Sequence, residues 1–146
     1  MTINKFEGKY AFLSNFYTSR VQEGGIVYPT IEHYFQAQKT LNRFERQEIA
    51  AAATPGQAKR AGRNVTLRGD WEEVKDKIML QGLRLKFEID ELATMLLETG
   101  DAYLEEGNWW HDNTWGNCLC PKCENIPGQN RLGTLLMQVR QELKKR

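Results

Sequence analysis

Helix start and stop signals recur at short intervals along this chain, and they set what it can fold into. Thr30 follows Pro29 and offers a side-chain oxygen to the amides of a helix carrying IEHYFQAQKTL. A second helical patch runs through RQEIAAAA. Thr54-Pro55 restarts the chain as N-cap and first helical residue, and Gly62 stops the short helix that follows. Asp70 and Glu73 have capping-box spacing, after which WEEVKDKIMLQGLRLKF sets Trp71, Val74, Ile78 and Leu83 near one helical face. ELATMLLETG is a further short helix ended by Gly100. The last helix, NRLGTLLMQVRQELKKR, spaces Leu132, Leu135, Leu136, Val139 and Leu143 along one side, and its basic end suits the helix dipole. Ahead of Thr30, aromatics mix with turn residues, and Gly24-Gly25 reads as a turn between short extended segments. AYLEE reads as a strand and residues 107 to 130 as loop. The expected fold is α+β, a predominantly α-helical single domain over residues 1–146 with a few short strands.

The bulk numbers exclude several classes. At 146 residues and a formal charge of +1, the chain can bury a core and has no strong overall pull toward nucleic acid or membrane. The first residues, MTINKFEGKYAFLSNFY, contain no long apolar run, so neither a signal peptide nor a membrane span is expected there. The three cysteines are odd in number and clustered, unlike a disulfide framework, which points to a reducing, cytoplasmic setting. The oligomeric state is not legible.

Several stretches carry candidate chemistry. On a helix, Glu32, Gln36 and Lys39 share one stripe, with Tyr34, Ala37 and Leu41 on the packing side. The plain reading is a dipole-favoured carboxylate and a solvated lysine. The functional reading is an ionised carboxylate beside a lysine able to act as a nucleophile. In FLSNFY, Ser14, Asn15 and Phe16 are either a turn with hydrophobic anchors or polar and aromatic contacts to a ligand. In GQNRLG, Gly128 and Asn130 precede the last helix; Asn130 is an N-cap, or the helix start binds phosphate.

NWWHDNTWGNCLCPKC, residues 108 to 123, gathers three of four tryptophans, one of two histidines and all three cysteines. Asp112, Trp115 and Gly116 are either a turn acid with a buried ring or an acid beside an aromatic platform. Cys118, Cys120 and Cys123 form C-x-C-x-x-C, a partial match to a structural zinc site whose fourth ligand would be His111 or His33; the alternative is three unpaired thiols.

Taken in order, FLSNFY, YPTIEHYFQAQK, AKRAGR, WEEVKDKIM, KF, LLETG, DNTWG and GQNRLGTLLMQVR resemble the NADAR-domain family over nearly the whole chain, from Phe12 to Arg140. The resemblance implies an N-glycosidase acting on ribosides, with no cofactor required. It implies Glu32, Lys39 and Asp112 as catalytic residues. Ser14, Asn15, Phe16, Gln36, Arg63, Trp71, Trp115, Gly116, Gly128 and Asn130 are the expected substrate contacts. Two substrate types follow: ADP-ribose on guanine bases of nucleic acid or nucleotides, and a phosphoribosylated intermediate of riboflavin synthesis. Where many members have a Gly-rich segment after the Trp-Gly pair, this chain has NCLCPKC, so the thiols are not needed for the family's reaction. A rival of another class is a non-enzymatic zinc- and nucleotide-binding module, with the tryptophans stacking on bases.

Overall fold

The computed structural model describes all 146 residues. The chain is α+β, mostly helical, with three two-stranded sheets. It divides into two compact units, Asn15–Lys86 and the pair of segments Met1–Ser14 and Phe87–Arg146. No helix is long and apolar enough to cross a membrane.

The Asn15–Lys86 unit begins with a hairpin of β2 (Thr18–Glu23) and β3 (Ile26–Thr30). Glu23 pairs with Ile26, so Gly24 and Gly25 form a two-residue turn, with φ of +59° and +80°. Positive φ at both positions is the turn whose twist matches the strands, and glycine takes it without a Cβ penalty. Helix α1 (Ile31–Ala37) follows, with Thr30 Oγ1 accepting from the His33 amide at 3.2 Å. Helices α2 (Arg43–Ala50), α3 (Pro55–Ala61) and α4 (Trp71–Lys86) complete the unit. Thr54 caps α3 through the Gln57 amide at 3.1 Å, with Pro55 in the first turn.

Several expectations are corrected here. Helix α1 stops at Ala37, so Lys39 lies in the following turn and not on a helical stripe. The chain tightens there into i→i+3 bonds, the amides of Lys39 and Thr40 reaching Gln36 O and Ala37 O at 3.2 and 3.3 Å. The turn that follows is held from a distance: the Arg68 amide reaches Lys39 O at 2.8 Å and Arg46 Nε reaches Thr40 O at 2.8 Å. Leu41 is accordingly 68% exposed rather than packed. The second helical patch starts earlier than RQEI, because Asn42 Oδ1 caps it through the amides of Phe44 and Glu45. Gly62 ends α3 as expected, though with an ordinary helical φ of −61°; its hydrogen is needed because a Cβ would strike Gln36 Oε1. On α4 the buried line runs through Trp71, Met79, Gly82, Leu83 and Lys86, leaving Val74 and Ile78 half-buried at its edge.

In the other unit, β1 (Thr2–Ile3) pairs in parallel with β4 (Tyr103–Leu104), and α5 (Asp90–Glu98) packs with α6 (Arg131–Lys144). Gly100 follows α5 with φ +63°. Leu132, Leu136, Val139 and Leu143 of α6 are buried, as their spacing requires, while Leu135 is half-buried at the edge of that face. Residues 107 to 130 are more ordered than a loop. They contain β5 (Gly107–Asn108), paired with β6 (Asn117–Cys118), and a 3-10 turn at Pro121–Cys123. Asn130 stands at the N-cap position but in the left-handed region, φ 48°, and its side chain does not cap α6.

Gly82 lets α4 approach α1: a Cβ there would lie 2.6 Å from Tyr34 Cε2. Gly82→Val is expected to lower stability by about 2 kcal/mol or more through overpacking, read as a lower urea midpoint with unchanged slope. An unchanged midpoint would contradict the close α1–α4 contact.

Candidate active site

Glu32 lies in the first turn of α1 and is 8% exposed. A buried carboxylate needs donors to offset lost hydration. Gln36 Nε2, one turn along, donates to Glu32 Oε1 at 2.9 Å. That bond orients the amide, so Gln36 Oε1 faces away from the carboxylate, beside Gly62, and is buried with no hydrogen-bond partner. The Glu32 backbone amide donates to Asn15 O at 3.0 Å. Asn15 Nδ2 donates to Met79 Sδ at 3.6 Å, and Asn15 Oδ1 is a second buried acceptor without a partner. Orphaned buried acceptors are uncommon, and two next to a buried acid are what a polar ligand would satisfy.

Lys39 is half-buried in the turn after α1. Burial holds its amine below the ordinary lysine range; the charge of Glu32 opposes that shift, while Arg63 and Lys59 reinforce it. The structure therefore brings Glu32, Gln36, Lys39, Arg63 and Asn15 together, although the helical stripe expected for three of them ends short of Lys39. Arg63 is exposed, just beyond the end of α3. Phe16 is 48% exposed. Trp71 is only 8% exposed and packs on Phe35 with ring centroids 5.0 Å apart, which leaves little of its face for stacking.

In the other unit, Ser14 follows a 3-10 helix, Gly8–Leu13, and Asp112 organises its own loop. Asp112 Oδ1 accepts from the amides of Thr114 and Trp115 at 3.0 and 2.9 Å. Buried Asn108 brackets the same residue, accepting from Asp112 N at 3.2 Å and donating to Asp112 O at 2.8 Å. Gly116 and Gly128 are sites of close approach. A Cβ on Gly116 would meet Glu106, and one on Gly128 would lie 2.5 Å from Asn117 Cα. Asn130 is a fastener: Oδ1 accepts from Glu106 N at 3.0 Å and Nδ2 donates to Leu104 O at 2.9 Å. The amides of Arg131 and Leu132 donate to Thr114 O and Trp115 O. The expected phosphate site at the start of α6 is thereby corrected, since these first-turn donors are already taken.

One residue with functional character escaped the sequence reading. Lys86 is fully buried, its Nζ lies 5.9 Å from the Tyr17 ring centroid, and burial lowers its pKa to about 7. As the last residue of α4 it reads as an ordinary dipole partner; the KF motif was its only signal.

The chain belongs to the NADAR domain family, whose model matches residues 3–144. N-glycosidase YbiA of Shigella flexneri is 43% identical over 137 residues, covering 92% of this chain and 82% of that protein. A riboflavin biosynthesis protein of Vibrio vulnificus is 34% identical over 141 residues, covering 92% of this chain and 36% of that protein. The NMR structure of the E. coli protein YbiA matches with a TM-score of 0.83 at 38% identity, over 99% of this chain and 84% of that one.

Lys86 gives a pH prediction. Unfolded, the amine keeps its proton up to about 10.5; folded, only up to about 7. Between those values the unfolded state binds more protons, so this group makes stability rise with pH, by up to about 1.4 kcal/mol per pH unit. Lys86→Met should be more stable than the native chain near pH 7, with the difference shrinking toward pH 10 in urea unfolding. A pH-independent difference would contradict a buried, depressed lysine.

Proposed function

We propose that this chain is an N-glycosidase that hydrolyses the bond between a base and ribose, and that its substrate is ADP-ribose attached to guanine in nucleic acid or a nucleotide. The observation that carries the reading is the buried Glu32 beside a half-buried Lys39 whose amine is depressed by burial and by Arg63 and Lys59. The N-glycosidase named among its relatives supports the reaction class.

Breaking the bond builds positive charge at the anomeric carbon, as in O-glycoside hydrolysis. Glu32 stabilises that charge. Gln36 keeps the carboxylate oriented. The Lys39 amine bonds to the anomeric carbon and the base departs with the proton the amine gives up; a proton from solvent, returned when the imine is hydrolysed, lets the ribose ring open to a protonated imine on Lys39. Water adds to that imine and frees the sugar and the amine. The net reaction is riboside plus water to base plus free sugar. Arg63 is assigned to phosphate, and the orphan acceptors of Gln36 and Asn15 to hydroxyl or amino groups of the substrate. The family resemblance also marks Asp112 and Trp115, which lie in the other unit.

A second reading, a phosphoribosylated intermediate of riboflavin synthesis as substrate, is favoured by the name of the Vibrio relative. Both use the same reaction and the same residues; they differ in the base released.

The test is release of ADP-ribose from ADP-ribosylguanine in an oligonucleotide, followed by mass spectrometry. Native protein should restore guanine, and Glu32→Gln and Lys39→Ala should each lose on the order of a hundredfold or more in rate. Borohydride should trap a sugar adduct on Lys39 of the native protein. Release of a pyrimidine from the riboflavin intermediate alone would select the second reading; full activity in both variants would overturn the assignment of residues.

A further inference from the structure

We propose that His111, Cys118, Cys120 and Cys123 form a structural zinc site that fixes the loop carrying Asp112 and Trp115. The four ligand atoms lie within 4.8 Å of one another. His111 Nδ1 is 3.3 Å from Cys123 Sγ, 3.4 Å from Cys120 Sγ and 3.8 Å from Cys118 Sγ. A tetrahedral zinc with Zn–S of about 2.3 Å and Zn–N of about 2.0 Å separates nitrogen from sulfur by roughly 3.5 Å, so the spacing is that of a ligand set around one ion. Geometry also settles which histidine is the fourth ligand. The His33 ring is engaged at both nitrogens, with Thr30 Oγ1 at 2.8 Å and Ala52 O at 3.0 Å.

Three further observations agree. All three thiols are free and buried, forming a small cluster of their own. Cys120 and Cys123 flank the tight turn Pro121–Cys123, where the Cys123 amide bonds Cys120 O at 3.1 Å, the compact geometry a C-x-x-C pair needs. His111 has φ of 67°, a left-handed conformation that non-glycine residues adopt only when something holds them there. Three thiolates and a neutral imidazole give the sulfur-rich donor set that selects zinc among common divalent ions; three thiol protons leave on binding.

The ion's role follows from its position. Asp112 and Trp115 lie between the first ligand, His111, and the second, Cys118, while Trp109 and Trp110, 60% and 61% exposed, precede it. Closing the ligand ring pins both ends of the Asp112–Gly116 segment. The site is distinct from the residues that perform the proposed reaction, so its test does not depend on substrate.

The experiment is metal analysis of the full chain purified under reductant, together with thiol alkylation. One zinc per chain is expected by plasma mass spectrometry, with all three cysteines protected from alkylation until a chelator is added. Cobalt in place of zinc should give the visible absorption of a tetrahedral site with thiolate ligands. His111→Cys should keep the metal, and His111→Ala should bind it at least tenfold more weakly. Amide exchange over residues 108–118 should speed up on metal removal while α1 is unchanged. Because the alkylation arm uses native protein, misfolding of a variant does not blur the result. Equal alkylation with zinc and with chelator, no zinc bound after reconstitution, or a disulfide among the three cysteines would each overturn the proposal.

Discussion

The Glu32 carboxylate is buried, and much of the Asn15–Lys86 unit is arranged around that fact. A carboxylate removed from water costs several kcal/mol unless charge and hydrogen bonds offset it. Here the offsets are specific. Gln36 supplies an amide from the next turn of α1, and Gly62 leaves room for that amide by lacking a side chain. The turn after Ala37 carries Lys39 within electrostatic reach of the acid. The helix must stop where it does for this to hold; it closes through the Lys39 and Thr40 amides on Gln36 O and Ala37 O, and Arg68 and Arg46 hold the turn beyond it. The site is thus a consequence of helix termination as much as of helix formation.

The loop around Asp112 works on a different principle. It has little regular structure, and it is fixed by side chains bonding backbone. Asn108 holds Asp112 from both sides, Asp112 holds the amides of Thr114 and Trp115, and Asn130 bonds the backbone at Leu104 and Glu106. Short polar residues can replace a hydrogen-bond ladder in this way. Glycines at 116 and 128 permit the close approaches. Half of Asp112's hydrogen-bonding capacity is structural, which narrows any substrate role to its second oxygen.

Much of this was legible in the sequence because the signals are local. Thr30, Thr54-Pro55 and Gly24-Gly25 act on their immediate neighbours, and each does what its chemistry predicts. The apolar spacing of α6 also held. Several misses have partners far away in sequence: the room that Gly62 leaves is for Gln36, and the buried line of α4 depends on Gly82 meeting Tyr34. The stop at Ala37 is local, closed by i→i+3 bonds that no capping residue announces. Asn130 looked like a cap because caps are what asparagine does before a helix; its actual partners are 24 and 26 residues earlier. Lys86 could not be distinguished from a solvated lysine without knowing what covers it. The motif order is what singled out Glu32, Lys39 and Asp112, because spacing alone does not separate them from a dipole-favoured acid, a solvated lysine and a turn acid.

In the proposed reaction Lys39 is an amine made available as a nucleophile by its surroundings, with Glu32 as its charged neighbour. The most direct test is the titration of the Lys39 Nζ by NMR on lysine-labelled protein. The account predicts a pKa below the ordinary lysine value, falling further in Glu32→Gln because a neighbouring negative charge is removed, and rising in Arg63→Gln because a positive one is. A Lys39 that titrates at the ordinary value and ignores both substitutions would contradict it.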